Sequence, residues 1–298
     1  MLFKLKMKKA LFQLHIAVFL AGFTGVLGRL ISLNELFLVW YRILFAIILL
    51  WILKFIFFKS EIKPIFKSRI SLLLTGALVA LHWVFFYGSI KYSNISVGLV
   101  CFSSIGFFTA ILEPILIKRK LILSEVFFGL MGMIGIYCIF YFNPKFSIGI
   151  VLGLISSLLA VFFTIINKQL LKTNTSFDVS LFELTGGFFT LSIILPFYFY
   201  FLPSLNFIPT FQDLGWLMIL SVFCTVLAFN LSSSALKKVS SFTVNLTFTL
   251  EPVYGILLAF LVYKEYNEMH SGVYLGIVII LISVFLQNLL VWKSKTHA

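Results

Sequence analysis

The sequence predicts an all-α integral membrane protein with ten transmembrane helices, arranged as two inverted five-helix repeats. Of its 298 residues, 61% are hydrophobic and only 11% are charged, whereas soluble domains carry about 25% charged residues. A helix needs about 20 mainly apolar residues to cross a bilayer. Ten such runs follow one another with short polar connections, at 11–31, 35–58, 70–90, 95–117, 122–142, 147–167, 178–202, 213–236, 242–263 and 270–291.

The lysines and arginines predict how the chain is oriented. With the N-terminus inside, three of these residues fall in outer connections, namely Lys91, Lys145 and Lys264, and Arg29 and Arg42 lie in or near spans. Cytoplasmic connections carry the excess of basic residues, so we expect both termini to be cytoplasmic in a multi-pass inner-membrane protein. The net charge of +13 then reflects topology, and no nucleic-acid partner is predicted. The inner set is Lys4, Lys6, Lys8, Lys9, Lys54, Lys59, Lys63, Lys67, Arg69, Lys118, Arg119, Lys120, Lys168, Lys172, Lys237, Lys238, Lys293 and Lys295.

The two halves of the chain resemble each other. A shift of 146 residues places Ser89–Lys91 on Ala235–Lys237, and it also places Arg119 on Glu265. Because each half has five helices, the second copy starts on the opposite face and is predicted to be inverted. Secondary transporters with inverted repeats bind their substrate near the midplane, between the repeats. The predicted repeats are residues 10–142 and 147–291.

Several short segments carry a resemblance to a known family. They are Ala235–Ser240, Leu250–Tyr254 and Tyr263–Glu265 in the second half, and Ile90–Ser93 and Glu113-Pro114 in the first. With the ten spans, these segments resemble the EamA family of the drug/metabolite transporter (DMT) superfamily over nearly the whole chain. The resemblance implies a ten-helix basket with a central cavity lined by spans one, three, four, six, eight and nine. It also implies export of amino acids or other small metabolites.

The first half departs from the family pattern at two positions. Gly106 stands where the family usually has proline, and Arg119 stands where it often has glutamate. Site residues are therefore transferred more safely to the second half, where the Leu250–Tyr254 segment adds Tyr254 to the predicted substrate pathway.

Glu251-Pro252 is the strongest local signal for a binding site. An ionisable group at the bilayer centre costs about 2.5–3.5 kcal/mol on insertion scales, so Glu251 should face a wet cavity or a partner. Pro252 lacks an N–H group and frees the carbonyl of Phe248, which favours a kink at that point. Glu251 is predicted to bind an ammonium group or a proton, and the alternative is a structural glutamate paired with a neighbouring helix.

Three further charged residues lie within spans. Glu113 offers the same chemistry as Glu251, or it pairs with a lysine among residues 118–120. Arg42 lies seven residues after Glu35 on the same helix face, so we expect an internal ion pair, with direct anion binding as the alternative. Glu183 is expected to pair with Lys168 or Lys172.

Uncharged residues complete the predicted pathway. His82 and Trp83 would form an aromatic wall with one polar group, suited to an amphipathic or zwitterionic solute. Asn230 and Asn245 either hydrogen-bond across helices or line the cavity. Small residues are interpreted as packing contacts between helices, namely Ser103-Ser104, Ser156-Ser157, Gly22, Gly25, Gly28, Gly129, Gly132, Gly135 and Gly186-Gly187.

The combined features predict a secondary transporter that exports small neutral or zwitterionic metabolites, such as amino acids, by alternating access. A membrane-embedded enzyme acting on lipid or peptide is the alternative, as is a lipid- or drug-moving member of the same superfamily. No nucleotide-binding or metalloprotease motif occurs in the chain, and no cysteine pair has metal spacing. We therefore predict a protein that is not an enzyme and has no cofactor and no metal. Proton coupling and homodimer formation stay open.

Overall fold

The computed structural model describes residues 2–57, 66–142, 146–201, 207–268 and 271–286, the last range without 273, 277, 280 and 284. Within these ranges the chain is helical and contains no strand. Eight described helices are long and apolar enough to cross a membrane. In chain order, with the bounds of their helical segments, these are α1 (Leu2–Gly22 and Thr24–Leu30), α2 (Glu35–Phe57), α3 (Phe66–Tyr92), α4 (Ile95–Phe102 and Ile105–Ile117), α6 (Ser147–Leu170), α7 (Ser176–Phe201), α8 (Phe211–Leu236) and α9 (Ser241–Phe248 and Glu251–Tyr263). A further helix, α5 (Leu123–Phe142), lies between α4 and α6 in the chain and is not one of these eight.

Seven of the nine helices α1 to α9 begin and end within about three residues of the predicted runs, whereas α1 begins nine residues before its run, at Leu2, and α3 begins four residues before its run, at Phe66. Span four, predicted at 95–117, is helical from Ile95 to Ile117 apart from one interruption. A shorter apolar helix, α10, covers Tyr274–Ser283, and the rest of the predicted tenth span, 270–291, includes residues outside the described ranges. The multi-pass helical architecture is therefore confirmed, and the full count of ten stays a prediction.

Three of the spans are interrupted near their middles. The breaks fall at Phe23 in α1, at Ser103-Ser104 in α4 and at Thr249-Leu250 in α9. In each case a hydroxyl at the break donates to the carbonyl three residues earlier, as Ser103 Oγ does to Val100 O at 2.6 Å. Such bonds compete with the helix ladder and bend it.

Pro252 lies two residues after the α9 break, so the predicted kink is present. However, α4 breaks at the equivalent place with Gly106 instead of proline, which makes the hydroxyl the feature common to both breaks. Ser103-Ser104, interpreted from sequence as packing residues, thus interrupt α4.

Helices α4 and α9 match at every landmark with the 146-residue shift. Asn94 and Ser240 cap their N-termini by accepting from Val97 N and Thr243 N. The breaks are equivalent, and both helices end at a left-handed lysine, Lys118 with φ 54° and Lys264 with φ 52°. Equivalent sequence positions have therefore kept equivalent backbone geometry.

Close helix contacts depend on glycine. A Cβ added to Gly22 would lie 2.6 Å from Tyr254 Cβ, and one added to Gly186 in α7 would lie 2.6 Å from Leu73 Cα in α3. Gly129 in α5 is equally tight against Phe107, but a Cβ on Gly132 would meet nothing within 4 Å. The predicted packing role thus holds for these three glycines and is wrong for Gly132.

This difference supplies a matched pair of variants. Gly186→Ala forces α3 and α7 apart, since its Cβ meets backbone atoms that cannot rotate away, and overpacking of this kind costs about 1–3 kcal/mol. Gly132→Ala has free space and gains helix propensity. We expect a clear fall in the thermal unfolding midpoint of the detergent-solubilised protein for Gly186→Ala only. Equal midpoints for both variants would contradict the packing.

Candidate functional site: a buried cavity with two opposite charges

A cavity of about 820 Å³, counting the space at its mouth, lies in the middle of the helical bundle. Its walls come from α1, α3, α4, α6, α8 and α9, the set implied by the resemblance, together with Arg42 from α2. The breaks in α4 and α9 lie at cavity depth, because Phe102, Ile105, Phe248 and Glu251 all belong to its lining.

Arg42 is held in the cavity wall by α8 and α3. Its side chain is only 2% exposed, and it donates from Nε to Thr225 Oγ1 at 2.7 Å and from a guanidinium N–H to Tyr87 Oη at 2.9 Å. A third bond reaches the carbonyl of Cys224 at 3.1 Å, and the guanidinium carbon lies 3.9 Å from the centroid of the Trp83 ring.

A π-helix supplies two of these acceptors. Residues Val222–Leu227 form one wide turn inside α8, and the α-helical hydrogen-bond pattern is displaced where Cys224 and Thr225 meet Arg42. π-Bulges of this kind occur often at functional sites.

The predicted ion pair between Arg42 and Glu35 is wrong. Glu35 begins α2 and accepts instead from Tyr198 Oη at 3.4 Å, while Arg42 lies two turns deeper and turns towards α8. None of the ion pairs in the described part of the chain contains Arg42. Its positive charge is therefore solvated by neutral groups and is not cancelled.

Glu251 supplies a carboxyl group to the same cavity. It is 4% exposed and accepts from Thr24 Oγ1 of α1 at 3.3 Å. It is the first residue of the helical segment after the α9 break, where the helix dipole favours a carboxylate. No described cation stands within ion-pair distance of it, and its bond to Thr24 joins α9 to α1, so both the binding role and the structural alternative stay predictions.

Aromatic and amide groups fill much of the remaining wall. His82 Nδ1 lies 2.8 Å from Ser156 Oγ and 2.9 Å from Ser156 O, which ties α3 to α6. Trp83 lines the cavity beneath Arg42. Asn245 makes the predicted cross-helix bond, from Nδ2 to Thr109 Oγ1 at 2.9 Å, and lines the cavity as well.

Other predicted pathway residues lie away from the cavity lining. Asn230 is half-buried, Pro252 is buried beside Glu251, and the Tyr254 ring packs edge-on against Phe19 at 5.4 Å. Glu113 does not bind a lysine. It accepts from Arg119 at 3.1 Å, because the left-handed Lys118 turns the chain back towards the end of α4.

Glu265 joins the two halves at one end of the bundle. This buried carboxylate accepts from the backbone N–H groups of Ile95 and Ser96 at 3.0 and 3.1 Å, and from Ser96 Oγ at 2.7 Å. It also forms an ion pair with Arg29. The end of α9 thus caps the start of α4, and the two helices run antiparallel past the cavity.

Asp213 makes a second connection of the same kind. It accepts from Ser32 N and Ser32 Oγ, both at 2.7 Å, which fastens the start of α8 to the end of α1. Sequence reasoning missed both connections, although the alignment of Glu265 with Arg119 was a signal that the two ends differ.

The opposite end is held differently. Arg119, equivalent to Glu265, binds Glu113 and Glu125 of its own half at 3.1 and 2.9 Å. Lys168 donates to the carbonyls of Leu236 and Val239, again within one half. Between the halves, a longer pair at 3.5 Å joins Lys54 to Asp178 there. The clamp between α9 and α4 is therefore specific to the Glu265 end.

Comparison with known proteins follows this geometry. No curated protein matches the chain. One solved structure, described as "Crystal structure of protein", superposes with a TM-score of 0.70 at 13% identity, covering 97% of this chain and 99% of that chain; at this identity the likeness shows the fold. Residues 8–141 and 147–289 each match the model of the EamA-like transporter family. The chain therefore belongs to the EamA-like transporter family, within the DMT superfamily.

Proposed function

We propose that this protein is a secondary transporter that exports small zwitterionic metabolites, amino acids foremost, across the inner membrane, with both termini in the cytoplasm. One observation carries the proposal. Arg42 and Glu251 are buried in the same cavity, and neither has an ion-pair partner among the described residues. Buried charges without partners are costly in a membrane, so a cavity that holds one of each sign suits a solute that brings both.

A zwitterion matches the cavity at both poles. Its carboxylate would receive hydrogen bonds from the Arg42 guanidinium, whose planar fork suits carboxylates, and its ammonium group would lie against Glu251. A solute of net negative charge would face Glu251 without compensation, and a cation would face Arg42. An apolar side chain would rest on the aromatic wall formed by Trp83, Phe86 and Phe163.

The broken helices supply a route to alternating access. The Glu265 clamp closes the end that the lysine pattern predicts to be outer. Rotation of the half-helices about Ser103-Ser104 and Thr249-Leu250 would open that end and re-form contacts at the other. Two inverted repeats that rock around a fixed site would move in this way. The antiparallel arrangement of α4 and α9, which are equivalent helices of the two repeats, supports this motion.

Removal of either charge is predicted to abolish tight binding. Metabolite profiling of medium from overproducing and deleted cells identifies the solute, and its flux is then measured in proteoliposomes. A hydrogen bond to a charged group contributes about 1.5–3 kcal/mol. We therefore expect Arg42→Gln and Glu251→Gln to raise the solute concentration at half-maximal flux roughly 10- to 100-fold.

Glu35→Gln is the matched control, since Glu35 bonds to Tyr198 away from the cavity lining. It should transport like the parent protein. If Arg42→Gln and Glu251→Gln also transport like the parent, the two-pole site is wrong.

A natural thiol reports on the clamp. Cys224 lines the cavity, whereas Cys101 is fully buried. In a protein that keeps only Cys224, Glu265→Gln should raise its labelling by a membrane-impermeant maleimide several-fold from the Glu265 side, because the neutral amide loses the ion pair and cannot accept both backbone bonds as strongly.

Right-side-out and inside-out vesicles distinguish the two faces. Glu125→Gln, which changes an ion pair at the other end, is the control and should leave labelling from the Glu265 side unchanged. Equal labelling in parent and Glu265→Gln would show that Glu265 does not close the cavity.

A further inference from the structure

We propose that Glu183 of α7 and Asn167 of α6 form a buried proton-binding site beside the cavity, and that its proton couples to solute movement. Glu183 is 0% exposed and Asn167 is 2% exposed. The sequence predicts a lysine partner for Glu183, which is wrong, because the described contact is with Asn167 Nδ2, which donates to Glu183 Oε2 at 3.1 Å.

Two oxygens of this pair have no partner. Glu183 Oε1 and Asn167 Oδ1 are both buried, and no donor among the described residues bonds to either of them. They belong to two groups that are already joined by the bond between Nδ2 and Oε2. An ionised carboxylate has only hydrogen-bond acceptors. Glu183 Oε1 therefore cannot bond to Asn167 Oδ1 in that state, and both oxygens stay without a donor in the protein interior.

One proton on Glu183 resolves the conflict. A protonated carboxyl has an O–H donor, and a carboxylic acid and a primary amide can then form two parallel hydrogen bonds, N–H to the acid carbonyl and O–H to the amide carbonyl. Every orphan oxygen gains a partner in that arrangement, and no buried negative charge remains. The geometry therefore points to the protonated state.

The surroundings of Glu183 offer no competing cation. On α2, Lys54 pairs with Asp178 at 3.5 Å. On α6, Lys168 donates to backbone carbonyls beyond the end of α8. On α3, the His82 ring is bonded to Ser156.

On the α8 side, Arg42 donates to Thr225 and to the Cys224 carbonyl. Each of these four groups thus has another partner in the described structure. The proton is then the ligand that remains for Glu183.

Asn167 connects this site to the cavity. Its side chain belongs to the cavity lining, with Thr164 one turn before it, while Glu183 lies behind it and outside the lining. A polar solute that hydrogen-bonds to the Asn167 amide would take the partner from the acid. Displacement of the amide would open Glu183 to water of the cavity, which would solvate the carboxylate and accept its proton, and departure of the solute would restore the pair. This coupling rests on the proposed transport function, whereas the proton site itself does not.

Infrared difference spectroscopy in lipid nanodiscs tests the proton site. The spectrum of the parent protein minus that of Glu183→Gln should contain the carbonyl stretch of one protonated carboxyl, which shifts on exchange into D₂O. The amide introduced by Glu183→Gln can still pair with the Asn167 amide, so this variant should fold. If the difference contains only carboxylate bands, the proton site is refuted.

Two further variants keep the test independent of that substitution. Asn167→Ala should move the same carbonyl band, because the acid loses its amide partner, and an unmoved band would contradict the pairing. Glu35→Gln should leave the band in place. Loss of the band in this variant would show that the protonated carboxyl belongs to Glu35 and not to Glu183.

Proteoliposomes with an imposed pH gradient test the coupling, with a mixture of labelled protein amino acids as the probe. Flux through the parent should rise several-fold with the gradient, and flux through Glu183→Gln should be independent of it. Gradient-independent flux in the parent would refute the coupling and leave the transport function standing. Absence of flux in the parent would refute the proposed function for these solutes, while the infrared band would still decide the proton site.

Discussion

The cavity brings the Arg42 guanidinium and the Glu251 carboxyl into one apolar bundle, and no ion pair joins them in the described structure. Arg42 is fixed by Thr225, Tyr87 and a backbone carbonyl, so its charge is solvated by neutral groups. Glu251 stands at a helix start with one hydroxyl as its bonding partner. Direct pairing would cancel the field in the cavity. Because each group has its own hydrogen-bond partners, the proposed function has both of them free to bind one solute.

Local irregularities of the helices position these two groups. The π-helix at Val222–Leu227 brings acceptors to Arg42, and the break at Thr249-Leu250 creates the helix start on which Glu251 sits. The equivalent break in α4 brings backbone groups to the same depth from the other half. Regular helices would have satisfied their own backbone and would have offered the cavity only side chains. The carbonyls at the α4 break are also bonded inside the protein, because Ser157 Oγ of α6 lies 3.1 Å from the carbonyl oxygens of Cys101 and Phe102.

The sequence predicted the helices well and the partners of polar groups poorly. Apolar runs locate most of the helix ends within a few residues, because every span needs a minimum length and a high hydropathy to cross the lipid. The 146-residue shift between the two halves can be found in the sequence because equivalent positions, such as Lys118 and Lys264, have the same local backbone geometry. The predicted partners of polar side chains were wrong where residue spacing along one helix was the only information. The seven-residue spacing of Arg42 and Glu35 says nothing about α8, which approaches from another side. The π-helix has no compositional signal, and the acid–amide pair depends on how α6 and α7 pack.

Binding of matched ligands to the purified protein tests the central claim most directly. Isothermal titration would compare the zwitterion identified by profiling with two analogues of the same side chain, its methyl ester, which lacks the carboxylate, and its deaminated acid, which lacks the ammonium group. The two-pole cavity predicts that the zwitterion binds and that both analogues bind at least about tenfold more weakly, since each loses one charged hydrogen bond. Equal binding of either analogue would contradict the assignment of Arg42 and Glu251 as the poles of the site.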